Sequence, residues 1–354
     1  MTVRALARQL GLSATAVSLA LKDSTRISEP VRRKVQALAA ASGYVPNARL
    51  TELMREVRGS TAPGYRATLG AFSLHPWEHP WKERNWGFLE EALTGATERA
   101  QTHGYRLDYF WLKQPGFSAA RLRTILKARG IEGLFCLGSL DPEEEMPEDL
   151  REFAIVTYGA SISTPLHRVA SHFARDARSL FEEVRRRGYR RPGLVLLTQG
   201  DRRTDYGYSS SYLGFWERLL EPPVIPILRN DIWDEAAFEH WFTTHRPDVI
   251  VLHQRPEFLE GVRRCLHRRG LRIPQEIGLA LLDLNPDTSY FSGIRQAPRL
   301  MGATAAELLI GRVLLRDFGR PAHPKVELVL GTWNEAGTLR PAIPVAIHAG
   351  TGGP

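Results

Sequence analysis

The chain has 354 residues, of which 43% are hydrophobic and 24% are charged. It is too long for one ordinary domain and too apolar to be disordered, so two or three domains are expected. Residues 1–58 contain ten Lys and Arg against four Asp and Glu, which accounts for six of the eight net positive charges. This excess at one end favours a polyanionic partner through attraction to phosphates; the alternative is a solvated basic face without a partner.

The two cysteines, Cys136 and Cys265, lie far apart and form no CxxC motif. They argue against a disulfide framework or a structural zinc site, and they fit a reducing compartment. The N-terminal sequence lacks the apolar core of a signal peptide, and no run of about eighteen apolar residues occurs. A soluble, cytoplasmic protein is therefore expected.

Apolar residues recur at helical spacing in three stretches of residues 1–42 and predict three small helices. Gly11 suits a left-handed position after the first helix, while Ser13 and Ser28 can cap the second and third. A short second helix after a tight turn is typical of the helix-turn-helix, whose second helix enters the major groove. A small protein-interaction bundle is the alternative. The outward residues of the second helix are predicted to be Ala14, Thr15, Ser18, Leu19 and Lys22.

The run TVRALARQLGLSATAVSLALKDSTRISEPVRRKVQALAAASGYVPNA is similar, nearly position for position, to the DNA-binding segment of the lactose-repressor (LacI/GalR) family of bacterial transcription regulators. The resemblance implies a helix-turn-helix domain over residues 1–46. It implies phosphate contacts near Thr2, Ser13 and Ser18, and base contacts from Ala14, Thr15 and Leu19. Leu19 stands where the family often has a hydrogen-bonding residue, so we expect modest direct readout of bases.

Residues 47–64 contain NARLTELMREVR, which has helical spacing, followed by the flexible sequence GSTAPG. The resemblance marks this segment as a hinge helix that orders in the minor groove when two subunits meet. It implies that Leu53 enters between base pairs, with Asn47, Leu50 and Met54 also at the DNA. Leu50 replaces the usual small alanine, and a linker helix without a DNA role is the alternative.

From residue 65 onward, short apolar runs alternate with longer amphipathic segments. Continuous apolar strands separated by helices predict parallel sheets covered on both faces, here in two similar doubly wound halves. The resemblance extends weakly over this region and implies a two-lobed periplasmic-binding-protein type I domain for effector binding and dimerisation. The predicted bounds are 65–342 for the domain, approximately 65–162 plus 292–320 and 163–291 plus 321–342 for its lobes, and 343–354 for a flexible tail.

Ligands of open parallel sheets bind beyond the carboxyl ends of the strands. By resemblance, Asp283 stands where a carboxylate commonly bonds ligand hydroxyls, and Gln296 borders the site. Ser211, His253 and Gln254 depart from the family pattern, as do Ser171 and His172. The complete candidate effector set is Ser73, His75, Trp77, Trp111, His172, Tyr206, Ser211, His253, Asp283 and Gln296.

The aromatic residues near the predicted strand ends favour a sugar ring or another flat, partly apolar ligand. Core or interface packing is an equal alternative for the Trp77, Trp81 and Trp86 cluster. The prolines around His75 and His79 prevent helical alignment of the two imidazoles, and no third metal ligand is evident. No phosphate-binding glycine motif follows a strand, so neither a metal nor a cofactor is expected.

These features predict a homodimeric, sequence-specific DNA-binding transcription regulator. Repression is the expected mode of regulation. Its operator affinity would depend on a small effector, a saccharide or derivative. A DNA-binding regulator with a degenerate, ligand-independent sensor domain is the alternative. Asp283 and His253 could form an acid–base pair, but no nucleophile or cofactor motif accompanies them, so an enzyme is not expected.

We expect Leu53→Ala to weaken specific operator binding and reduce DNA bending, because an apolar wedge that unstacks a base step kinks the duplex. Arg32→Ala, in the third predicted helix, should change only the electrostatic part of binding. Gel-shift titration and DNA-bending assays measure both effects. A Leu53→Ala chain that binds and bends the operator like the parent would show that the hinge assignment is wrong.

Overall fold

The structure is a computed structural model that describes residues 3–21, 27–42, 65–84, 86–218, 224–253 and 255–343. The chain divides into two compact units, Met1–Gly64 and Tyr65–Pro354. Within the described ranges, no helix is both long and apolar enough to cross a membrane. The predicted linker, 47–64, lies outside the described residues, as does the predicted tail apart from Ile343.

The described part of the first unit contains three helices, as predicted: α1 (Val3–Leu10), α2 (Ala14–Leu21) and α3 (Glu29–Ala41). Helices of this length are not stable alone in water, so their packing decides whether they form. They share a small core made of Leu6, Ala7, Val17, Ala20, Val35 and Ala39. Gly11 takes a left-handed conformation, and the Ser13 hydroxyl accepts a hydrogen bond from the Ala16 amide (3.1 Å), which confirms the predicted turn and cap.

Polar contacts fix α3 to its surroundings. The Arg32 guanidinium donates to the Ile27 carbonyl (2.8 Å), and the Gln36 amide donates to the Ala20 carbonyl of α2 (3.3 Å). Arg33 pairs with Glu29 one turn earlier on the exposed surface of the helix. Because Arg32 also closes the turn before α3, Arg33→Ala is a better charge control for Leu53→Ala than Arg32→Ala.

Among its described residues, the second unit contains two six-stranded sheets, one in each lobe. The first sheet is parallel throughout and has the order β11-β5-β4-β3-β1-β2. Its strands are β1 (Ala67–Ser73), β2 (Tyr105–Trp111), β3 (Gly133–Cys136), β4 (Ala154–Tyr158), β5 (His167–Ser171) and β11 (Val326–Val329). The second sheet has the order β12-β10-β9-β8-β6-β7, and only its edge strand β12 pairs in the antiparallel sense. Its strands are β6 (Pro192–Leu196), β7 (Leu228–Arg229), β8 (Val249–Leu252), β9 (Gly278–Leu284), β10 (Ser292–Arg295) and β12 (Thr332–Asn334).

Helices cover both faces of each sheet. In β8, Val249 and Val251 pack into one buried cluster while Ile250 and Leu252 pack into another, so the strand has no solvated face. The helices of the first lobe are α4 (Pro80–Glu83), α5 (Gly87–Thr102), α6 (Ala119–Ala128) and α12 (Pro298–Leu315). Those of the second lobe are α7 (Phe173–Arg186), α8 (Thr198–Arg202), α9 (Gly207–Glu217), α10 (Glu235–His245) and α11 (Pro256–Arg268).

The predicted lobe bounds are wrong at three strands. β5 and β11 belong to the first sheet, although the bounds assigned residues 163–171 and 321–342 to the second lobe. β10 belongs to the second sheet, although 292–320 was assigned to the first. The physical reason is that the chain crosses between the lobes three times, after β5, after β10 and after β11, and that β5, β10 and β11 are short strands without a long apolar run.

The first lobe depends on a close crossing of α5 and α12. A Cβ atom at Gly302 would overlap the Ala92 carbonyl oxygen, and one at Gly95 would overlap the Arg299 carbonyl oxygen. Glycine at both positions therefore lets each helix rest directly on the backbone of the other. This crossing fixes α12, which follows directly from the segment that carries Gln296.

We expect Gly302→Ala to lower the free energy of unfolding by about 2 kcal/mol or more, because overpacking must push the two helix backbones apart. Gly311→Ala is the matched control on α12, since nothing lies within 4 Å of its added Cβ. That control should be neutral or stabilising by up to about 1 kcal/mol, because alanine favours the helix. Urea unfolding of both variants measures the difference, and equal effects would contradict the close crossing.

Candidate functional site

The three crossings lie side by side and are joined by hydrogen bonds. The Ser171 hydroxyl, at the first crossing, donates to the Gln296 side-chain oxygen at the second (3.1 Å). The His172 amide donates to the Val329 carbonyl (2.9 Å), and the buried Asp176 carboxylate accepts from the Gly331 amide of the third crossing (2.9 Å). The segments that connect the lobes therefore form one bonded unit.

A polar cluster extends from this unit across the carboxyl end of the second sheet. The Gln296 amide donates to the Tyr208 hydroxyl (3.0 Å), and the Tyr208 ring lies edge-on to His253 at 6.0 Å between centroids. His253 Nε2 lies 3.6 Å from Asp283 Oδ2. Burial, followed by the charge of Asp283, raises the pKa of Tyr208 well above its ordinary value, so this phenol stays protonated. The structure thus brings Asp283, His253 and Gln296 together, and it adds Tyr208 to them.

An aromatic cluster lies beyond β1 and β2 of the first lobe. The Trp111 indole donates to the His75 carbonyl (3.0 Å), and the Trp86 ring contacts His75 and Trp77 edge-on, at 5.5 and 5.8 Å between centroids. These contacts bring three of the predicted residues, His75, Trp77 and Trp111, into one group around Trp86. Aromatic packing holds the group together.

Ser73 lies at the end of β1 but faces the protein interior. Its side chain is fully buried, and its hydroxyl shares a hydrogen bond of 2.9 Å with the Tyr109 hydroxyl. Burial raises the pKa of Tyr109 to about 12, so the pair stays neutral. Ser73 therefore supports the sheet edge and makes no polar contact with the aromatic group.

Two arginines of the second lobe reach the first lobe. The Arg203 guanidinium lies 5.6 Å from the centroid of the Trp86 ring, a cation–π distance. The neighbouring Arg202 donates to the Glu143 carboxylate at 2.6 Å. The sequence DRRTD resembles a solvated loop, so the residue pattern gave no signal for Arg203. Its position becomes visible only when the two lobes are assembled.

The remaining three predicted residues lie apart from the Asp283 cluster. The Ser211 hydroxyl donates to the Ala174 carbonyl (2.9 Å), and His172 Nδ1 accepts from the Arg175 amide at the start of α7. Both residues line a groove of about 810 Å³ between α7 and α9, away from the ends of the central strands. Tyr206 is 51% exposed and takes a left-handed conformation before α9. We place the candidate site at the strand ends, because that is where residues of both lobes meet.

Most of the predicted DNA-contacting side chains lie outside the described residues. Among the described ones, Ser13 is exposed and Leu19 is half-buried on α2. Ala14, Thr15 and Ser18 belong to α2, but their side chains are not described. The residues that lie wholly outside the described ranges are Thr2, Lys22, Asn47, Leu50, Leu53 and Met54.

Comparisons with known proteins match this architecture. A family model for a periplasmic binding protein-like domain matches residues 181–335. The cellobiose complex of the regulator CelR is 17% identical, with a TM-score of 0.59, and the match covers 96% of this chain and 99% of that one. A lac repressor dimer bound to operator and the anti-inducer ONPF is 17% identical, with a TM-score of 0.55 and the same coverage. No curated protein sequence gives a significant match.

The chain has the fold of the LacI-family regulators. Another similar structure is the LacI-family regulator CcpA of Weissella paramesenteroides with bound glucose, which is 14% identical with a TM-score of 0.54. That match covers 77% of this chain and 98% of the other. In this LacI-type fold, the stretch matched by the family model includes His253, Asp283 and Gln296.

His75 is a buried imidazole without a normal hydrogen bond at either ring nitrogen among the described residues, although the Leu137 backbone lies near. Burial lowers its pKa to about 4, and the positive charge of Arg203 acts in the same direction. The ring is therefore neutral at physiological pH. In the unfolded chain it titrates near pH 6.5, so the unfolded state binds the proton first as the pH falls.

We expect this imbalance to remove about 2 kcal/mol of stability between pH 7.5 and pH 5. The contribution is fully present above about pH 6.5 and is lost as the pH falls toward 4. His75→Phe keeps an aromatic ring and should flatten this part of the pH profile, whereas His240→Gln, at an exposed position, should not. Urea unfolding at both pH values measures how much the free energy of unfolding changes. An equal change for His75→Phe and the parent would show that His75 does not cause the loss of stability.

Proposed function

We propose that the chain is a cytoplasmic, homodimeric transcription regulator that binds operator DNA and responds to a small molecule held between its two lobes. The simplest form of this function is repression. The observation that carries the proposal is the order of parts: three small helices precede a two-lobed domain, and this fold matches an operator-bound lac repressor dimer over nearly its whole length.

The first unit supports the DNA-binding half of the proposal. Its second helix follows a glycine turn and a serine cap, and six of the eight net positive charges of the chain lie within residues 1–58. One recognition helix contacts too few base pairs for specificity, so two subunits on a pseudo-palindromic site are proposed. Neutralised phosphates would make the affinity fall steeply with salt.

The second unit supports the effector half. The polar cluster around Asp283 and the aromatic cluster around Trp86 lie where the two lobes meet, and the three bonded crossings limit how the lobes can move. A ligand there can change operator affinity only if it binds one lobe arrangement better than the other. The proposed class is a saccharide or derivative, since solved structures with this fold contain cellobiose and glucose.

The test has two stages. Genome-wide footprinting of the bound chain should yield pseudo-palindromic sites, and sedimentation should show a dimer on each. A metabolite screen, based on release or retention of one such operator fragment, should then identify an effector. Failure to find symmetric sites would overturn the DNA-binding proposal, and no response to any metabolite would favour the ligand-independent sensor.

For the effector found, Asp283→Asn should abolish the response while it leaves effector-free operator affinity unchanged. The physical reason is that a carboxylate accepts hydrogen bonds about twice as strong as those of a neutral acceptor. Asp287→Asn, four residues later at an exposed position, is the matched control and should respond like the parent. Titration of the operator fragment with and without effector measures both. An unchanged response in Asp283→Asn would remove this residue from the site.

A further inference from the structure

Two arginines at the carboxyl end of the second sheet lack a carboxylate partner within the described ranges. Arg203 follows α8, and Arg255 stands just after β8 at the start of α11. Both side chains are half-buried, and neither forms an ion pair with a described residue. Arginines so placed are usually paired, because an uncompensated charge away from water is unfavourable.

The two arginines follow segments that lie side by side, because a Cβ atom at Gly200 of α8 would lie 3.8 Å from His253 Nε2, two residues before Arg255. Burial, followed by the charge of Arg255, lowers the pKa of Arg203 to about 10. The Trp86 ring, which lies 5.6 Å from the Arg203 guanidinium, supplies no formal charge. Two like charges on neighbouring segments, in a partly desolvated position, favour a bound anion between them.

Three acidic residues at this end of the sheet have other partners. Glu143 pairs with Arg202, and the buried Asp201 lies 3.5 Å from Arg229. Asp283 lies beside His253 and makes a further interaction of its own. None of these carboxylates forms an ion pair with Arg203 or Arg255 in the described part of the chain.

His75, on the aromatic side of the site, offers no charge either. It is buried and neutral beside Trp86, so it neither compensates the arginines nor competes for an anion. An anionic group on one end of a ligand and hydroxyls at the other would match the two halves of the site. The arginines would hold the anion, while Asp283 would accept from the hydroxyls.

We infer that the effector carries an anionic group, a carboxylate or a phosphate, which Arg203 and Arg255 hold at the carboxyl end of the second sheet. This inference rests on the proposed effector site and narrows its ligand to acidic or phosphorylated hydroxyl compounds. Bidentate recognition of planar or tetrahedral oxyanions is the chemistry to which guanidinium groups are suited.

The test uses the full-length chain, with inorganic phosphate and malonate as probes and glucose as the neutral comparison, all at one ionic strength set by sodium chloride. Thermal unfolding and isothermal titration should show stabilisation and binding by at least one anion. Phosphate acting better than malonate would indicate a phosphorylated ligand, and the reverse would indicate a carboxylic acid. No effect from either anion would overturn the inference.

The variants separate anion binding from a structural role. Arg203→Gln and Arg255→Gln should each weaken binding of the effective anion about tenfold to a hundredfold. Without the anion they should melt at or above the parent temperature, because the mutual repulsion is relieved. Arg263→Gln, on the solvent side of α11 beside Glu260, is the matched charge control and should behave like the parent.

A merely structural role gives the opposite pattern. If Arg203 only braces the lobes through Trp86, then Arg203→Gln will melt lower than the parent and will keep the full response to anions. That result overturns the inference. Arg203→Lys retains the charge and should keep part of the anion binding. It replaces Arg203→Gln in these measurements if Arg203→Gln does not fold.

Operator titrations run in parallel distinguish this inference from the proposed function. If a neutral saccharide controls operator binding through Asp283 and no anion binds, the proposed function stands and the anion inference fails. If anions bind through both arginines but no small molecule changes operator affinity, the anion site stands and the proposed effector control fails.

Discussion

The hydrogen bonds between the three crossings hold the two lobes in one frame. The Asp176 carboxylate accepts the amide of Gly331, and burial raises the pKa of Asp176, so this bond forms in a position that disfavours the charge. A Cβ atom at Gly331 would crowd both the Arg295 carbonyl and the Asp176 carboxylate, so glycine is what allows the segments to lie so close. Ser171 and Gln296 complete the connection and continue it into the polar cluster. A movement of either lobe would therefore displace residues of the polar cluster.

The fold was largely predictable where long apolar runs mark buried strands. β1 to β4, β6, β8 and β9 have such runs, and the amphipathic segments between them became the expected helices. The missed strands have a different character. β5 reads HRVAS and includes polar side chains, while β11 is an edge strand whose residues are mostly exposed. Hydrophobic periodicity cannot find such strands, and the lobe bounds were wrong for that reason.

Site residues that follow a strand could be predicted from the sequence. Residues whose role requires a contact between the two lobes could not. Asp283 and His253 lie at or just after the ends of β9 and β8, at positions that the family resemblance singled out. Arg203 and Trp86 gain their roles only because two segments distant in sequence meet. Ser211, which departs from the family pattern, bonds the Ala174 carbonyl. The positive charge of this site thus comes from positions that the family resemblance did not indicate.

The interleaved strand order also has a consequence for synthesis of the chain. The first sheet needs β11, and α5 needs α12, yet all of the second lobe except β12 is translated between β5 and these elements. Domains usually fold as units in the order in which the ribosome delivers them. Here the lobe that begins first must wait with an uncovered helix face and an unpaired β5 edge until its last strand emerges. The nascent chain therefore exposes apolar surface for most of its elongation, and that interval is when chaperone binding would matter most.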